Sequence, residues 1–163
     1  MEKYLVDFDG VILDSQDRFE DDMKDNIDFN DWMDYLNSID WYSFIRECNE
    51  IDESIDTLKK LEELKKLKAI ITSIHSFDEG KQKEIYLREK GIYVPILYVL
   101  PKQEKSKVFI PTKEDILVDD KIRKCEDWIL AGGDAILFDS NTYDTFSVNN
   151  VVKRKIKTLK NLL

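Results

Sequence analysis

The chain has 163 residues, 42% of them hydrophobic, which is enough for one domain with a substantial core. Its net charge is −9 and its sequence pI is near 4.7, so it lacks the basic surface that binding to a nucleic-acid polymer or an anionic membrane requires. No apolar stretch approaches the roughly 20 residues that span a bilayer, and the distant pair Cys48 and Cys125 predicts reduced thiols in a cytoplasmic protein.

Short apolar runs, separated for the most part by helical patterns, predict buried strands. The runs cover residues 4–8, 67–73, 94–100, 115–119 and 134–139. Helical patterns cover 79–90, which ends at Gly91, and 121–131, which ends at Gly132. This alternation predicts an α/β fold with a doubly wound, mainly parallel five-stranded sheet. The C-terminal stretch is predicted to be helical because its apolar residues recur at helical spacing: Val152, Ile156, Leu159 and Leu163.

The first two strand patterns are separated by more residues than one crossover helix needs. Residues 53–67 explain part of this distance, because an apolar stripe there predicts a helix packed on the sheet. The stripe consists of Ile55, Leu58, Leu61, Leu64 and Leu67. The acidic, aromatic-rich residues 16–50 predict a small helical cap, inserted into a core domain made of 1–15 and 51–163. The cap aromatics either form its own small core or face a flat ligand, and Trp32, Trp41 and Tyr42 are the candidates for stacking.

Polar side chains follow four of the predicted strands, at the point where each strand ends. They are Asp7 and Asp9 after the first, Thr72 and Ser73 at the second, Lys102, Lys105 and Lys107 after the third, and Asp119 and Asp120 at the fourth. We expect them to share one site, because the carboxyl ends of parallel strands meet at one edge of a sheet.

Clustered carboxylates need a cation, and an all-oxygen ligand set suits Mg²⁺. Hydroxyl groups at a strand-to-helix turn suit phosphate oxygens, and a lysine offsets the charge of a phosphoryl group in transfer. The pattern therefore predicts phosphoryl transfer, in which Asp7 attacks phosphorus and Asp9 serves as general acid and then general base.

Four stretches, "DFDGVI", "IITS", a lysine and "ILVDD", resemble the motifs of the haloacid dehalogenase (HAD) superfamily of aspartate-nucleophile phosphatases. The resemblance covers about 1–14 and 66–140. It implies that Asp7 is the nucleophile, that Asp9 is the acid and base, and that Thr72 binds the phosphoryl group. A lysine that offsets charge is also implied, and Lys105 is our choice among Lys102, Lys105 and Lys107.

The same resemblance implies a Mg²⁺ site. Asp7, the backbone carbonyl of Asp9, and the pair Asp119 and Asp120 would hold the ion. Within the pair, the resemblance favours Asp120 as a direct ligand and Asp119 as a ligand through water.

Residues 105–138 also resemble the 5′(3′)-deoxyribonucleotidase-like branch, in which a helix bearing a tryptophan and a glycine-rich turn follow the last acidic pair. This implies a nucleoside monophosphate as substrate, with Ser73, Lys83 and a cap aromatic such as Trp41 in contact with it. The alternative for Lys83 is a helix residue that faces solvent and does not contact substrate. His75, the single histidine, is either a loop residue or an additional contact to substrate.

Other functions stay open at this level. The substrate is a nucleotide or another small phosphorylated metabolite, such as a sugar phosphate. A non-catalytic binding or regulatory protein on the same fold is a further alternative. A phospho-accepting receiver domain fits less well, because its accepting aspartate lies at a middle strand, whereas the acidic pairs here follow the first and fourth strands.

Overall fold

The computed structural model describes residues 1–24, 32–139 and 151–163. Its centre is a parallel sheet of six strands in the order β3-β2-β1-β4-β5-β6. The strands are β1 (Lys3–Val6), β2 (Leu67–Ser73), β3 (Ile96–Val99), β4 (Asp115–Asp119), β5 (Asp134–Phe138) and β6 (Arg154–Ile156). The helices are α1 (Ser15–Lys24), α2 (Trp32–Ser38), α3 (Trp41–Glu47), α4 (Ser54–Glu63), α5 (Phe77–Glu89), α6 (Lys105–Val108), α7 (Ile122–Leu130) and a C-terminal 3₁₀ helix (Leu159–Leu162).

Both faces of the sheet are covered, and the side chains of β1 show this directly. Tyr4 and Val6 belong to one hydrophobic core, together with Leu58 of α4, whereas Leu5 belongs to a second core that contains Trp128 of α7. Alternate residues of a strand point to opposite faces, so an uninterrupted apolar strand is what a sheet covered on both sides requires. The predicted doubly wound α/β fold is confirmed.

The chain order reverses at β1, which pairs with β2 on one side and with β4 on the other. In open parallel sheets such a reversal leaves a crevice at the carboxyl ends of the strands, where ligands bind. The residues that follow β1, β2 and β4 therefore come together at this edge.

Each predicted strand is present, as are the helices expected near 79–90 and 121–131. The predicted apolar stripe extends beyond the C-terminal end of α4, however. Leu58 and Leu61 are fully buried, but Leu64 caps the helix and is 53% exposed, and Leu67 already begins β2. The helix stops there because the turn at Lys65 has a positive φ of 57°, which no helix residue adopts.

The predicted C-terminal helix is wrong. Residues 154–156 instead form β6, which pairs in parallel with β5 and adds a sixth strand to the predicted five. Val152, which precedes this strand in the chain, and Leu159, which follows it, are both buried. An apolar residue every three or four positions also fits a short edge strand followed by a 3₁₀ turn, so spacing alone did not separate the alternatives.

Helices α1, α2 and α3 occupy the described part of the segment predicted to be a cap, whose residues 25–31 lie outside the described ranges. Their aromatic residues pack on one another, with the ring of Phe19 4.8 Å from that of Phe44 and 5.9 Å from that of Trp41. The division into a cap and a core stays a prediction.

Two expectations concern the chain as a whole. In the described ranges, no helix combines the length and the hydrophobicity that crossing a bilayer requires. Cys48 and Cys125 are both free thiols, the first half-buried and the second buried.

Candidate active site

The ends of β1 and β4 place two aspartates side by side. The Asp7 amide donates a hydrogen bond to the Val118 carbonyl at 2.9 Å, which continues the β1–β4 pairing beyond Val6 and sets Asp7 next to Asp119. Lys105, at the start of α6, lies between them. Its Nζ is 2.8 Å from Asp7 Oδ1 and 2.5 Å from Asp119 Oδ2, and all three side chains are buried.

The carboxylates of this cluster carry more negative charge than Lys105 balances. Burial, followed by the nearby charge of Asp119, raises the pKa of Asp7 to about 7. Burial, together with Asp7 and Asp119, raises the pKa of Asp120 to about 8. Burial lowers the pKa of Lys105, but the two carboxylates outweigh burial and leave it raised. A cation at the cluster would favour the ionised carboxylates and lower their pKa values.

The donor set fits a divalent cation. One carboxylate oxygen from each of Asp7, Asp119 and Asp120 lies within 4.8 Å of the others. Asp119 is committed elsewhere, because Oδ2 accepts from Lys105 and Oδ1 accepts from the Lys121 amide at 2.9 Å. Asp120 Oδ1 is buried and has no hydrogen-bond partner among the described residues. Such an oxygen suits an inner ligand of Mg²⁺, which takes oxygen donors and keeps several waters.

Gly10 allows the loop after β1 to lie against this cluster. Its φ of 81° is one that residues with a Cβ rarely adopt, and a Cβ built on it would collide with the Asp120 carboxylate. The glycine after the second aspartate is thus required by the close approach of backbone to a carboxylate.

Asp9 is held by two polar partners. The Ser15 hydroxyl donates to Oδ1 at 2.6 Å, and the Lys83 ammonium donates to Oδ2 at 2.8 Å. Lys83 is 1% exposed and also donates to Thr72 Oγ1 at 2.9 Å. Its ammonium forms an ion pair with Glu79 at 2.7 Å. Burial lowers the pKa of Lys83, but the charges of Asp9 and Glu79 more than offset this and raise it.

A cavity of about 310 Å³ opens above these groups. Its walls consist of Asp7, Asp9, Gln16, Phe19, Trp32, Ser73, His75, Pro101, Lys102, Lys105, Asp119, Lys121 and Lys124. A larger cavity of about 490 Å³ is lined by Asp120 but by neither Asp7 nor Lys105. We place the candidate active site in the smaller cavity because Asp7, Asp9 and Lys105 line it together.

Comparisons with known proteins identify the fold. No protein-family model matches the chain, and no curated protein sequence matches it either. Among solved structures, the chain is similar to a putative HAD-hydrolase, YfnB from Bacillus subtilis bound to magnesium (TM-score 0.64, 14% identity, covering 99% of this chain and 96% of that one). It is also similar to a HAD-superfamily hydrolase from Ehrlichia chaffeensis (TM-score 0.58, 13% identity, 99% and 95%). A HAD hydrolase of family IA, variant 3, from Entamoeba histolytica is comparable (TM-score 0.56, 14% identity, 99% and 95%). The chain has the HAD hydrolase fold.

This HAD fold brings together most of the residues that the sequence singled out. Ser73 lines the cavity, whereas Thr72 is fully buried behind it and accepts from Lys83. Lys102 and Lys105 line the cavity, and Lys107 is exposed outside it.

Among the residues predicted to contact substrate, Thr72, Lys83 and Trp41 do not line the cavity, and neither does the stacking candidate Tyr42. Lys83 lies beneath it, where Asp9 and Thr72 cover its ammonium. Trp41 is 3% exposed and packs against Phe44, because α3 turns its aromatic face inward. Trp32, named with Trp41 as a stacking candidate, does line the cavity.

The sequence patterns did not indicate a role for Glu79, Ser15, Lys121 or Lys124. Glu79 follows a helix N-cap, where acidic residues are common on the surface, yet it is completely buried. Ser15 begins α1, a position at which serine is ordinary. For neither Glu79 nor Ser15 does the local sequence indicate the contact that the side chain makes.

Proposed function

We propose that this protein is a Mg²⁺-dependent phosphomonoesterase that hydrolyses a small organic phosphate through an aspartyl-phosphate intermediate. The observation that carries the proposal is the Asp7–Lys105–Asp119 contact, which lies on the same cavity as Asp9 and next to the unpartnered oxygen of Asp120. The HAD fold supports it, as does the magnesium bound by the Bacillus subtilis neighbour.

In the proposed reaction, an Asp7 oxygen attacks phosphorus and the bond from phosphorus to the leaving-group oxygen breaks. Asp9 gives its proton to that oxygen and later removes a proton from the water that attacks the aspartyl phosphate. Phosphate then leaves and Asp7 is regenerated. The Ser15 hydroxyl, 2.6 Å from Asp9 Oδ1, suits both states of Asp9, because a hydroxyl donates to a carboxylate and accepts from a carboxylic acid.

Other residues position the phosphoryl group. Lys105 offsets its charge, and Ser73 offers a hydroxyl on the cavity wall. Mg²⁺, held by Asp7, the Asp9 carbonyl and Asp120, with Asp119 acting through water, would supply positive charge facing the phosphoryl oxygens.

We further propose a nucleoside monophosphate as substrate. Three lysines on the cavity wall, Lys102, Lys121 and Lys124, have no ion-pair partner in the part of the chain that the structure describes. They give an acidic protein a locally positive entrance that suits a phosphorylated ligand. The Trp32 ring on the same wall is suited to stacking on a base.

The first test is phosphate release from nucleoside monophosphates, sugar phosphates and phenyl phosphate, with Mg²⁺ and with EDTA. We expect metal-dependent release that favours the nucleotides. Preference for a sugar phosphate would keep the phosphatase and change its substrate. Absence of release from every ester would favour a non-catalytic protein on this fold.

Asp7→Asn is the matching variant, and Asp56→Asn is its control, since Asp56 is exposed on α4 and lines neither cavity. We expect Asp7→Asn to lower kcat by at least about a thousandfold, because the amide is not a nucleophile. Near-normal turnover by a folded Asp7→Asn protein would refute the aspartyl-phosphate mechanism.

A further inference from the structure

His75 is held in one orientation by a buried carboxylate. It follows β2 in the turn that leads into α5, and its Nδ1 lies 2.9 Å from Oε1 of Glu79. The His75 backbone amide donates to the same oxygen, also at 2.9 Å. Glu79 is completely buried, whereas 33% of the His75 side chain is exposed. The backbone contact fixes the turn against Glu79, and the Nδ1 contact to this buried acceptor limits rotation of the imidazole ring.

The charge on Glu79 decides which ring nitrogen carries a proton. Burial raises the pKa of Glu79, but the Lys83 charge and the hydrogen bonds from His75 outweigh burial and leave it lowered. Glu79 is therefore a carboxylate, which only accepts hydrogen bonds, so Nδ1 of His75 must be the donor. In the neutral imidazole, this leaves Nε2 as a hydrogen-bond acceptor.

The ring of His75 belongs to the active-site wall. It lines the cavity that contains Asp7 and Asp9. Its neighbours on that wall are aromatic, with the Phe19 ring centre at 6.0 Å and the Trp32 ring centre at 6.4 Å, both approached edge-on. Phe19 and Trp32 belong to α1 and α2, whereas Lys105 belongs to α6, so we assign the leaving group of a bound phosphomonoester to the wall that His75 shares with these two rings.

We propose that His75 is a specificity-determining residue, whose Nε2 accepts a hydrogen bond from a hydroxyl or N–H group of the leaving group. This inference rests on the proposed function and narrows its substrate class to phosphomonoesters of polyhydroxylated or nucleoside alcohols, as opposed to esters without a donor. Glu79 is the positioning residue that turns Nε2 towards the substrate.

The single histidine makes the test direct, because the imidazole ¹⁵N signals of the full chain come from one residue. The Asp7→Asn protein would be titrated, under mildly alkaline conditions and with Mg²⁺, with uridine 5′-monophosphate, phenyl phosphate and inorganic phosphate. We expect protonated Nδ1 in every spectrum and a change of the Nε2 signal with the nucleotide alone. An Nε2 signal that the bound nucleotide leaves unchanged would overturn the proposal.

Two substitutions separate the orienting contact from the substrate contact. His75→Asn keeps an amide donor near the position of Nδ1 and removes Nε2, whereas His75→Gln places its amide near Nε2. We expect the ratio of kcat/KM for uridine 5′-monophosphate over phenyl phosphate to fall about fivefold to tenfold in His75→Asn, which corresponds to one lost hydrogen bond. We expect His75→Gln to recover part of that ratio. An unchanged ratio in a folded His75→Asn protein would mean that His75 acts only through Glu79.

The control is Phe77→Leu, because Phe77 is 88% exposed, lies two residues further along the chain at the start of α5 and does not line the cavity. Failure of the proposed function has a separate signature. If the wild-type protein releases phosphate from none of the nucleoside monophosphates, sugar phosphates and phenyl phosphate, the phosphatase itself is refuted and the inference falls with it. If phenyl phosphate is hydrolysed but the nucleotide neither reacts nor shifts Nε2, the phosphatase stands, and the inference is overturned together with the nucleotide as substrate.

Discussion

The Lys105 ammonium lies 2.8 Å from Asp7 Oδ1 and 2.5 Å from Asp119 Oδ2, and it joins the ends of two neighbouring strands. Without this lysine, two buried carboxylates would face each other without the ammonium group that contacts both of them. The positive charge of Lys105 is therefore needed to balance Asp7 and Asp119, both for folding and for the proposed chemistry.

Lys105→Met should lower both activity and stability. Removing one member of a buried ionic cluster typically costs about 3 kcal/mol or more, because the remaining charges are left uncompensated. We expect a lower urea midpoint in EDTA and a partial recovery with Mg²⁺, since the ion would replace some of the lost positive charge. Lys107→Met, at an exposed position of the same helix, is the control and should match the wild type. Equal stability of the two variants would show that Lys105 is not needed to balance the carboxylates.

Asp120→Asn should raise Tm in the absence of metal and reduce the increase in Tm that Mg²⁺ produces. In EDTA we expect a higher Tm, because one of three mutually repelling carboxylates becomes neutral. With Mg²⁺ we expect a smaller rise in Tm than the wild type shows, because a ligand that binds only the folded state stabilises it in proportion to its affinity. A Mg²⁺ titration of Tm that matches the wild type would remove Asp120 from the metal site. Asp56→Asn again serves as the control.

Glu79→Gln should make stability less dependent on pH. The pKa of Glu79 is lowered from 4.5, so its ionised form stabilises the fold above that value, and this contribution is lost as pH falls through the folded pKa. We expect the variant to be less stable by about 2 to 3 kcal/mol at neutral pH, because Lys83 loses a buried partner, with the difference shrinking below pH 4.5.

The measurement for Glu79 is the free energy of unfolding by urea at a series of pH values. Glu84→Gln is the control, because Glu84 lies on the same helix and is 47% exposed, so its ion pair with Arg88 should contribute little. A constant difference between wild type and Glu79→Gln across the acid range would contradict the lowered pKa.

Trp41 and Trp32 should respond differently to alanine. Trp41→Ala removes a buried ring and should cost about 3 to 5 kcal/mol of stability. Trp32→Ala should instead raise KM for a nucleoside monophosphate by about tenfold, since base stacking contributes about 1 to 3 kcal/mol. Acetyl phosphate, which has no ring, is the reference substrate for both variants. Equal losses on the nucleotide and on acetyl phosphate would mean that Trp32 only packs against its neighbours.

Much of this arrangement could be predicted from sequence because parallel strands obey strong rules. Uninterrupted apolar runs marked the strands, and the polar residues after them had to meet at one edge. This is why Asp7, Lys105 and Asp119, which are far apart in the chain, were expected in one site and are found in contact.

What could not be predicted depends on contacts between elements rather than on spacing within one. Glu79 and Lys83 sit in a polar helical stretch that looks solvent-exposed. The Lys83 ammonium is buried because Glu79 and Asp9 balance its charge, and the Glu79 carboxylate is buried because Lys83 balances its charge. Trp41 was named a ligand contact because aromatic composition does not tell which ring faces a cavity and which faces a core. β6 was missed because a three-residue edge strand carries too few positions to show its period.

The chain of contacts from His75 through Glu79 and Lys83 to Asp9 runs through the interior and ties α5 to the loop after β1. Substitutions along it therefore act twice, once on substrate turnover and once on the amount of folded protein that a cell retains. A genetic screen for loss of hydrolysis would recover Glu79 and Lys83 as readily as Asp7. Only the Asp7 variants would accumulate to normal levels, so abundance measured beside activity separates the proposed nucleophile from the residues that hold the candidate site together.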